Sequence, residues 1–243
     1  MHWQIVPSYF HFPLNTQALW ARLVPVTMNG SQMFTLSPED FLLIQSVHNA
    51  KHRWERLAWI SDIAEIIAAC PEIDWPETVE RAKESHSLRM VLLGLHLANE
   101  LLEAPLPEFI LQRIEKDTKV RTLAEQVVNL LFASDGIEHG IFEEATFQRF
   151  HYQVRERFSD QLTYCVRCLI TPSIEDWGWI NLPSSLFFLY SAGRPFRLGW
   201  KYFKKFWGNF SQRLQERAPS HSTPEEIILS QSDIAGSARC AAG

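Results

Sequence analysis

The sequence predicts a mainly α-helical protein, a multi-helix bundle with a small β portion at its N-terminus. Apolar residues recur at helical spacing beyond residue 36, as in Val91, Leu95, Ala98 and Leu102. Capped helix starts precede several of these runs, whereas short runs with strand character are confined to residues 1–36. These observations together predict the fold class.

The β portion is predicted from two segments. Residues 1–14 alternate aromatic and β-branched residues, and their prolines would confine a strand to a sheet edge. Residues 24–36 place Met28-Asn29-Gly30 between two short apolar runs, which predicts a β-hairpin because asparagine and glycine tolerate the positive φ angles of a tight turn. We therefore expect residues 1–36 to form a region of short strands.

Two helix starts mark the helical part. Ser37-Pro38-Glu39-Asp40 combines a capping serine, a first-turn proline and two acids that face the positive end of the helix dipole. Asp74-Trp75-Pro76-Glu77 is a second capped start. We expect a helical domain over residues 37–216 and a disordered tail over residues 217–243, where small polar residues dominate.

The composition, with 46% hydrophobic and 21% charged residues, is that of an ordinary globular protein. A net charge of −5 argues against a general nucleic-acid binder. Four cysteines give no disulfide framework in 243 residues. Neither a secretion signal nor the run of about 20 apolar residues that spans a membrane is visible. We therefore expect a cytoplasmic protein.

Charge is distributed unevenly along the chain. Residues 191–213 carry six basic and no acidic side chains, which leaves 17 basic and 28 acidic ones, or −11, in the remainder. We expect a break at Gly193-Arg194-Pro195 and a last amphipathic helix from Leu198 to Leu214. An interfacial helix has this composition, but we favour a helix that buries Phe203, Phe206 and Trp207 against its own bundle. The candidate interface residues are Arg194, Arg197, Lys201, Lys204 and Trp207.

The least ordinary stretch lies between these regions. His48 and His52 are four residues apart, so a continuous helix stacks their imidazoles on one face. A turn near Trp54 would fold the next helix back and bring Asp62 to the two histidines, with all three side chains largely buried. This set could bind a metal ion, or it could be a buried hydrogen-bonded network between two helices. The whole candidate cluster is His48, Lys51, His52, Arg56 and Asp62.

Short motifs occur before, within and after residues 48–62, and they extend along the chain to about Leu198. They are His2-Trp3, Leu36-Ser37-Pro38-Glu39-Asp40, His48…Lys51-His52…Trp54…Leu57…Trp59…Asp62-Ile63-Ala64, Asp74-Trp75, Leu106-Pro107 and Pro172…Asp176-Trp177…Leu182-Pro183…Tyr190…Arg194-Pro195…Arg197-Leu198. In order and spacing they resemble a bacterial family of uncharacterised nucleotidyltransferases. In that family a nucleotidyltransferase fold comes first, with a Gly-Ser phosphate loop, an Asp-x-Asp pair and a third carboxylate. This sequence begins at Met1-His2-Trp3 and contains no Gly-Ser loop followed by a paired-aspartate strand.

Nucleotidyl transfer needs carboxylates that hold a divalent metal, and the paired-aspartate strand that would supply them is not in this sequence. The resemblance therefore implies that the chain corresponds to the helical C-terminal region of such a protein. Residues 1–36 would be the edge of the nucleotidyltransferase-like fold, and Lys51, His52 and Arg56 would face its nucleotide cleft. The implied function is a substrate- or partner-binding module, or a truncated product. Its partner would be a separate catalytic chain or biosynthetic-cluster proteins, and Mg²⁺ and a nucleoside triphosphate would take part only if a catalytic half is supplied.

Two functions of other classes remain open. One is a helical metal-dependent hydrolase that uses His48, His52 and Asp62. The other is a peripheral membrane adaptor that acts through the last helix.

Overall fold

The structure, a computed structural model, describes Phe10 and residues 12–132, 141–171, 178, 189–197, 199–200, 203–204 and 207, without the side chains of residues 141–145. The chain divides into two compact units, Met1–Thr171 and Pro172–Gly243. The described residues are mainly helical with one small antiparallel sheet, which confirms the predicted fold class. Among them, no helix is both long and apolar enough to cross a membrane.

The first unit combines a hairpin with a series of helices. In chain order the elements are α1 (Thr16–Ala21), β1 (Val24–Met28), β2 (Ser31–Thr35), α2 (Pro38–Lys51), α3 (Leu57–Ala69), α4 (Trp75–Glu84), α5 (Leu88–Leu102), α6 (Glu108–Lys116), α7 (Thr118–Phe132), α8 (Ile141–Gln153) and α9 (Phe158–Ile170).

The predicted hairpin is confirmed. Strands β1 and β2 pair antiparallel, with Val24 opposite Thr35 and Met28 opposite Ser31. Asn29 and Gly30 make the turn with φ angles of 51° and 78°, which is the conformation that their small or absent side chains allow. The strand predicted over residues 1–14 lies mostly outside the described residues, although Phe10 is fully buried in the core.

Helix α5 is the centre of the first unit and packs against α2, α3, α4, α6 and α7. Its buried residues are Met90, Val91, Leu92, Leu93, Gly94, Leu95, Leu97 and Ala98. A helix that is apolar on most sides is stable only when other elements cover it. Helices α2 and α3 cover one part of α5 and thereby fix the position of the candidate site.

The predicted caps of α2 and α4 are also confirmed. The Ser37 hydroxyl accepts a hydrogen bond from the backbone N–H of Asp40 at 3.3 Å. The Asp74 carboxylate accepts one from the backbone N–H of Glu77 at 2.9 Å. Each cap satisfies a backbone donor that has no partner within the helix.

In the second unit, residues 189–197, 199–200, 203–204 and 207 are helical. The break predicted at Gly193-Arg194-Pro195 is therefore wrong. The φ angle of proline, about −65°, is a helical one, so Pro195 lies within the helix although its ring removes one backbone hydrogen bond and crowds the carbonyl four residues earlier. The tail predicted over residues 217–243 lies outside the described residues.

Candidate functional site

The site begins where α2 ends. The backbone N–H of Arg53 donates to the Ala50 carbonyl at 3.1 Å, and that of Trp54 donates to the Asn49 carbonyl at 2.9 Å. This is the hydrogen-bond pattern of a Schellman motif, in which a residue with positive φ ends a helix. Arg53 and Trp54 have φ angles of 55° and 56°, which side-chain-bearing residues adopt only when their surroundings hold them there.

The surroundings that hold the turn are in the core. The Trp54 side chain is fully buried. Its ring lies against Gly94 of α5 so closely that a Cβ atom at Gly94 would be 2.5 Å from Trp54 Cη2. The turn between α2 and α3 is thus anchored by an indole in the core, and α3 begins at a defined place over the end of α2.

This turn brings four side chains together at the surface: His48, His52, Arg56 and Trp59. We call these four residues the Trp59 cluster. The His48 and His52 rings are 5.1 Å apart between centroids. The Trp59 ring is 6.0 Å from His48 and 5.4 Å from His52. The Arg56 guanidinium lies over the Trp59 ring, 5.4 Å from its centroid. The two histidines and Trp59 are half-buried and Arg56 is exposed, so the cluster is accessible from solvent.

Polar contacts beside the cluster show how the two helices run. Gln45 Nε2 donates to Asp62 Oδ2 at 3.2 Å, and Asn49 Nδ2 donates to the Trp59 carbonyl at 3.3 Å. Later residues of α2 therefore meet earlier residues of α3, which confirms that α3 folds back along α2. Asp62 is exposed, so the prediction of a buried carboxylate is wrong. Asp62 accepts the hydrogen bond from Gln45 at the solvent-exposed edge of the contact between α2 and α3.

Burial and neighbouring positive charge lower the pKa of one imidazole. The pKa of His52 lies below its ordinary value, first because burial disfavours the charged ring and then because Lys51 and His48 are near. Lys51 is half-buried in the last turn of α2. The structure thus places His48, Lys51, His52 and Arg56 around the start of α3, with Asp62 further along that helix.

The side chains do not fit a divalent metal. Within the part of the chain that the structure describes, which includes His48, His52 and Asp62, no group of three or more His, Cys, Asp and Glu side chains could hold a metal ion. Mg²⁺ binds chiefly to carboxylates, water and phosphate oxygens. The described side chains His48, His52 and Asp62 therefore do not form a Mg²⁺ site.

Sequence reasoning missed the network that supports the end of α2. His151 of α8 is buried, and its Nε2 is 2.8 Å from the Lys51 carbonyl oxygen. A carbonyl only accepts, so Nε2 carries the proton. The other nitrogen, Nδ1, then accepts from the Tyr164 hydroxyl at 3.3 Å. Burial first, and then the nearby charges of Arg155 and Arg53, lower the His151 pKa to about 3, so the ring is neutral.

Arg155 completes this network. Its guanidinium lies 4.5 Å from the Phe10 ring centroid and 4.1 Å from that of Tyr164, and it donates to the backbone carbonyls of His151 and Phe10. Burial lowers the Arg155 pKa to about 10. The network joins residues more than a hundred positions apart in sequence, and a histidine inside a helical pattern carries no signal of such a contact.

A second missed group lies at the start of α2. The buried Asp40 carboxylate accepts two hydrogen bonds from Arg22, at 2.8 and 2.9 Å, and its Oδ2 is 3.1 Å from Arg81 Nη1. These residues line a cleft of about 270 Å³ between α1, α2 and α4. Sequence reasoning assigned Asp40 only to the helix dipole, although its partners are Arg22, which follows α1, and Arg81 in α4.

The aromatic rings of the candidate interface in the second unit are exposed, whereas the sequence analysis predicted that they are buried. Trp207 is 59% exposed and Phe203 55%, so the predicted burial of these rings is wrong. They stack along the helix instead, with 6.1 Å between the Phe203 and Trp207 centroids and 6.2 Å between Phe203 and Trp200. Arg194 and Arg197 are half-buried and Lys204 is exposed, whereas Lys201 and Phe206 lie outside the described residues.

Fold and site together define an α-helical protein with a surface cluster of imidazole, indole and guanidinium groups. Residues 1–103 match the model of a family described as "Uncharacterised nucleotidyltransferase". The matched range ends just after α5 and includes the Trp59 cluster, but it is less than half of the chain. This match supports the resemblance for residues 1–103. Neither the comparison with curated proteins nor that with solved structures returned a match.

Proposed function

We propose that the chain is a helical module of a nucleotidyltransferase-like protein and that the Trp59 cluster, with Lys51, binds a nucleotide. The module positions the ligand and does not itself transfer the nucleotidyl group. The family match to residues 1–103 supports the connection to nucleotidyltransferases. The carboxylates that hold the metal would come from a catalytic segment outside residues 1–243 or from a partner chain.

The observation that carries the proposal is the exposed Arg56 guanidinium 5.4 Å from the Trp59 ring centroid. Because Arg56 is exposed, its guanidinium can turn toward a phosphate while a base takes its place on the indole. A base stacked on an aromatic side chain contributes about 1–3 kcal/mol, and a hydrogen bond to a charged group about 1.5–3 kcal/mol. We expect a free nucleotide to bind with a Kd on the order of 1 mM.

The electrostatics of His52 support the same ligand. Burial first, and then Lys51, His48 and Arg56, lower its pKa. The cations that disfavour a proton on His52 are those that would attract a phosphate, so charge and aromatic surface coincide at one place. A neutral imidazole can donate one hydrogen bond to the ligand without adding a charge.

The proposal can be tested by fluorine NMR on protein labelled with 5-fluorotryptophan. The chain has nine tryptophans, and Trp59→Phe identifies the Trp59 resonance by its loss. A metal-free titration with a nucleoside triphosphate should shift this resonance in a saturable manner. Inorganic tripolyphosphate should give a smaller shift, because it offers charge but no base.

Arg56→Ala should weaken binding about tenfold, which corresponds to about 1.4 kcal/mol. Arg113→Ala, which removes an exposed arginine of α6, is the matched control and should leave binding unchanged. The exposed Trp20 of α1 should not respond to the nucleotide. An unmoved Trp59 resonance at tens of millimolar nucleotide, or equal effects of the two arginine variants, would overturn the proposal.

A further inference from the structure

We propose that the aromatic–basic helix, the helical residues described between 189 and 207, binds the surface of a membrane that contains anionic lipid. This inference is independent of the nucleotide site. It rests on the exposure of the rings, their arrangement in one row and the charge that accompanies them.

The row consists of Phe196, Trp200, Phe203 and Trp207. Their spacing of four, three and four residues places them on one face of a helix. The exposed fractions are 82, 60, 55 and 59%, in the same order. Consecutive rings from Trp200 to Trp207 are about 6 Å apart and nearly parallel, with interplanar angles of 25°. The rings from Trp200 to Trp207 are therefore stacked along the helix, and all four side chains of the row are exposed to solvent.

Such a row is costly in water and suits a flat partner. Soluble monomers seldom expose contiguous apolar patches of several large side chains. Eleven residue steps separate Phe196 from Trp207, which corresponds to about 16 Å along a helix at 1.5 Å per residue. Indole and phenyl rings on such a face enter the boundary between headgroups and acyl chains, where tryptophan in particular is favoured.

Charge beside the row selects anionic lipid. Lys204 Nζ lies 5.5 Å from the Trp200 ring centroid, so cation and ring occupy the same level. Residues 191–213 contain six basic and no acidic side chains, whereas the remainder of the chain carries a net −11. Cations at headgroup level are attracted by anionic lipids over roughly one Debye length, whereas the acidic remainder of the chain is repelled. The electrostatic attraction to anionic lipid is thus a property of this helix and not of the protein as a whole.

The experiment is co-flotation of the full-length chain with vesicles. One set contains phosphatidylcholine alone, and the other contains phosphatidylcholine with about one-third phosphatidylserine. We expect binding to the second set only, with a loss of at least tenfold when the salt concentration rises from about 0.1 M to about 0.5 M. Free inorganic phosphate at millimolar concentration should not compete, because the bilayer binds the rings as well as the charges.

Two pairs of variants separate the contribution of the aromatic rings to vesicle binding from that of the positive charges. Trp207→Ala should weaken binding about tenfold, whereas Trp20→Ala, which removes another exposed tryptophan in α1, should not. Lys204→Glu should weaken binding to anionic vesicles, whereas Lys116→Glu in α6 should not. All four positions are exposed, so the variants are expected to fold, and a melting curve of each confirms it.

Three results would overturn the proposal. The first is equal binding to vesicles with and without phosphatidylserine. The second is absence of vesicle binding together with self-association that Trp207→Ala abolishes, which would assign the row to a second copy of the chain. The third is retention on polyglutamate without vesicle binding, which would assign it to an acidic protein.

Discussion

The indole of Trp54 and the α-carbon of Gly94 lie so close that a Cβ atom on Gly94 would be 2.5 Å from Trp54 Cη2 and 2.8 Å from Cζ2. No side chain fits between them. The contact connects the turn after α2 to the middle of α5, and through that turn it determines where the Trp59 cluster forms. The stability of the turn can therefore be tested far from the surface site.

Gly94→Ala should destabilise the protein by about 1–3 kcal/mol, because the rigid indole has to move in a packed core. Without the contact, alanine in the middle of a helix would stabilise by about 0.5–1 kcal/mol relative to glycine. Urea denaturation measures the difference. In a Trp54→Phe background the cost of Gly94→Ala should shrink, which gives a coupling free energy in a double-mutant cycle. Gly193, where a Cβ atom would meet nothing within 4 Å, is the control. Equal costs in both backgrounds would contradict the contact.

His151 should make folding stability depend on pH. In the unfolded chain its pKa is about 6.5, whereas burial and the charges of Arg155 and Arg53 lower it to about 3 in the folded protein. The unfolded state thus binds more protons, so this contribution to stability is complete above pH 6.5 and is lost as the pH falls toward 3. From pH 7 to pH 5 the loss is about 2 kcal/mol.

His151→Gln is the test of this pH dependence. Glutamine Nε2 can still donate to the Lys51 carbonyl but does not titrate. The free energy of unfolding of the wild type should fall between pH 7 and pH 5. That of the variant should fall by about 2 kcal/mol less over the same pH range. His52 also faces this region and has a lowered pKa, so a smaller dependence remains in the variant. An unchanged pH dependence would show that His151 does not titrate in this range.

Asp40 should be more important for stability than its place in a helix cap suggests. Its buried carboxylate faces Arg22 at 2.8 Å and Arg81 at 3.1 Å. Asp40→Asn removes the negative charge between two cations and should cost about 3 kcal/mol in the free energy of unfolding. Glu77→Gln, which removes the exposed partner of Arg81, should cost less than about 1 kcal/mol. Similar losses for the two variants in thermal denaturation would contradict this assignment.

The pKa of His52 should report on the charges around the Trp59 cluster. Burial lowers it first, Lys51 lowers it further, and Glu55 raises it. Lys51→Gln should therefore move the pKa upward, and Glu55→Gln should move it downward. An NMR titration of the imidazole resonances measures both shifts. Shifts of the same sign would contradict the geometry, since two opposite charges removed beside one imidazole act in opposite directions.

Local patterns were sufficient for the features that depend on neighbouring residues. The caps at Ser37 and Asp74 and the Asn29-Gly30 turn depend on backbone geometry within four residues, so their chemistry is readable from the chain. The proximity of His48 and His52 follows in the same way from the helical period. Helical periodicity was less reliable for exposure. The period defines the aromatic face of the last helix, and the burial predicted for Phe203 and Trp207 rests on the rarity of exposed aromatic patches. That burial is wrong, because a period identifies a face but does not show whether anything covers it.

The helical class, the hairpin and the stacked histidines can be predicted from the amino-acid sequence, because each results from interactions between residues close in the chain. The packing of whole helices is needed to bring Trp59 and Arg56 to those histidines, to place Asp40 between Arg22 and Arg81, and to let His151 donate to the Lys51 carbonyl. Lys51 and His151 are separated by 100 positions in the sequence. Such contacts depend on how whole helices pack, and a buried polar group is satisfied by whichever partner that packing brings within hydrogen-bond distance.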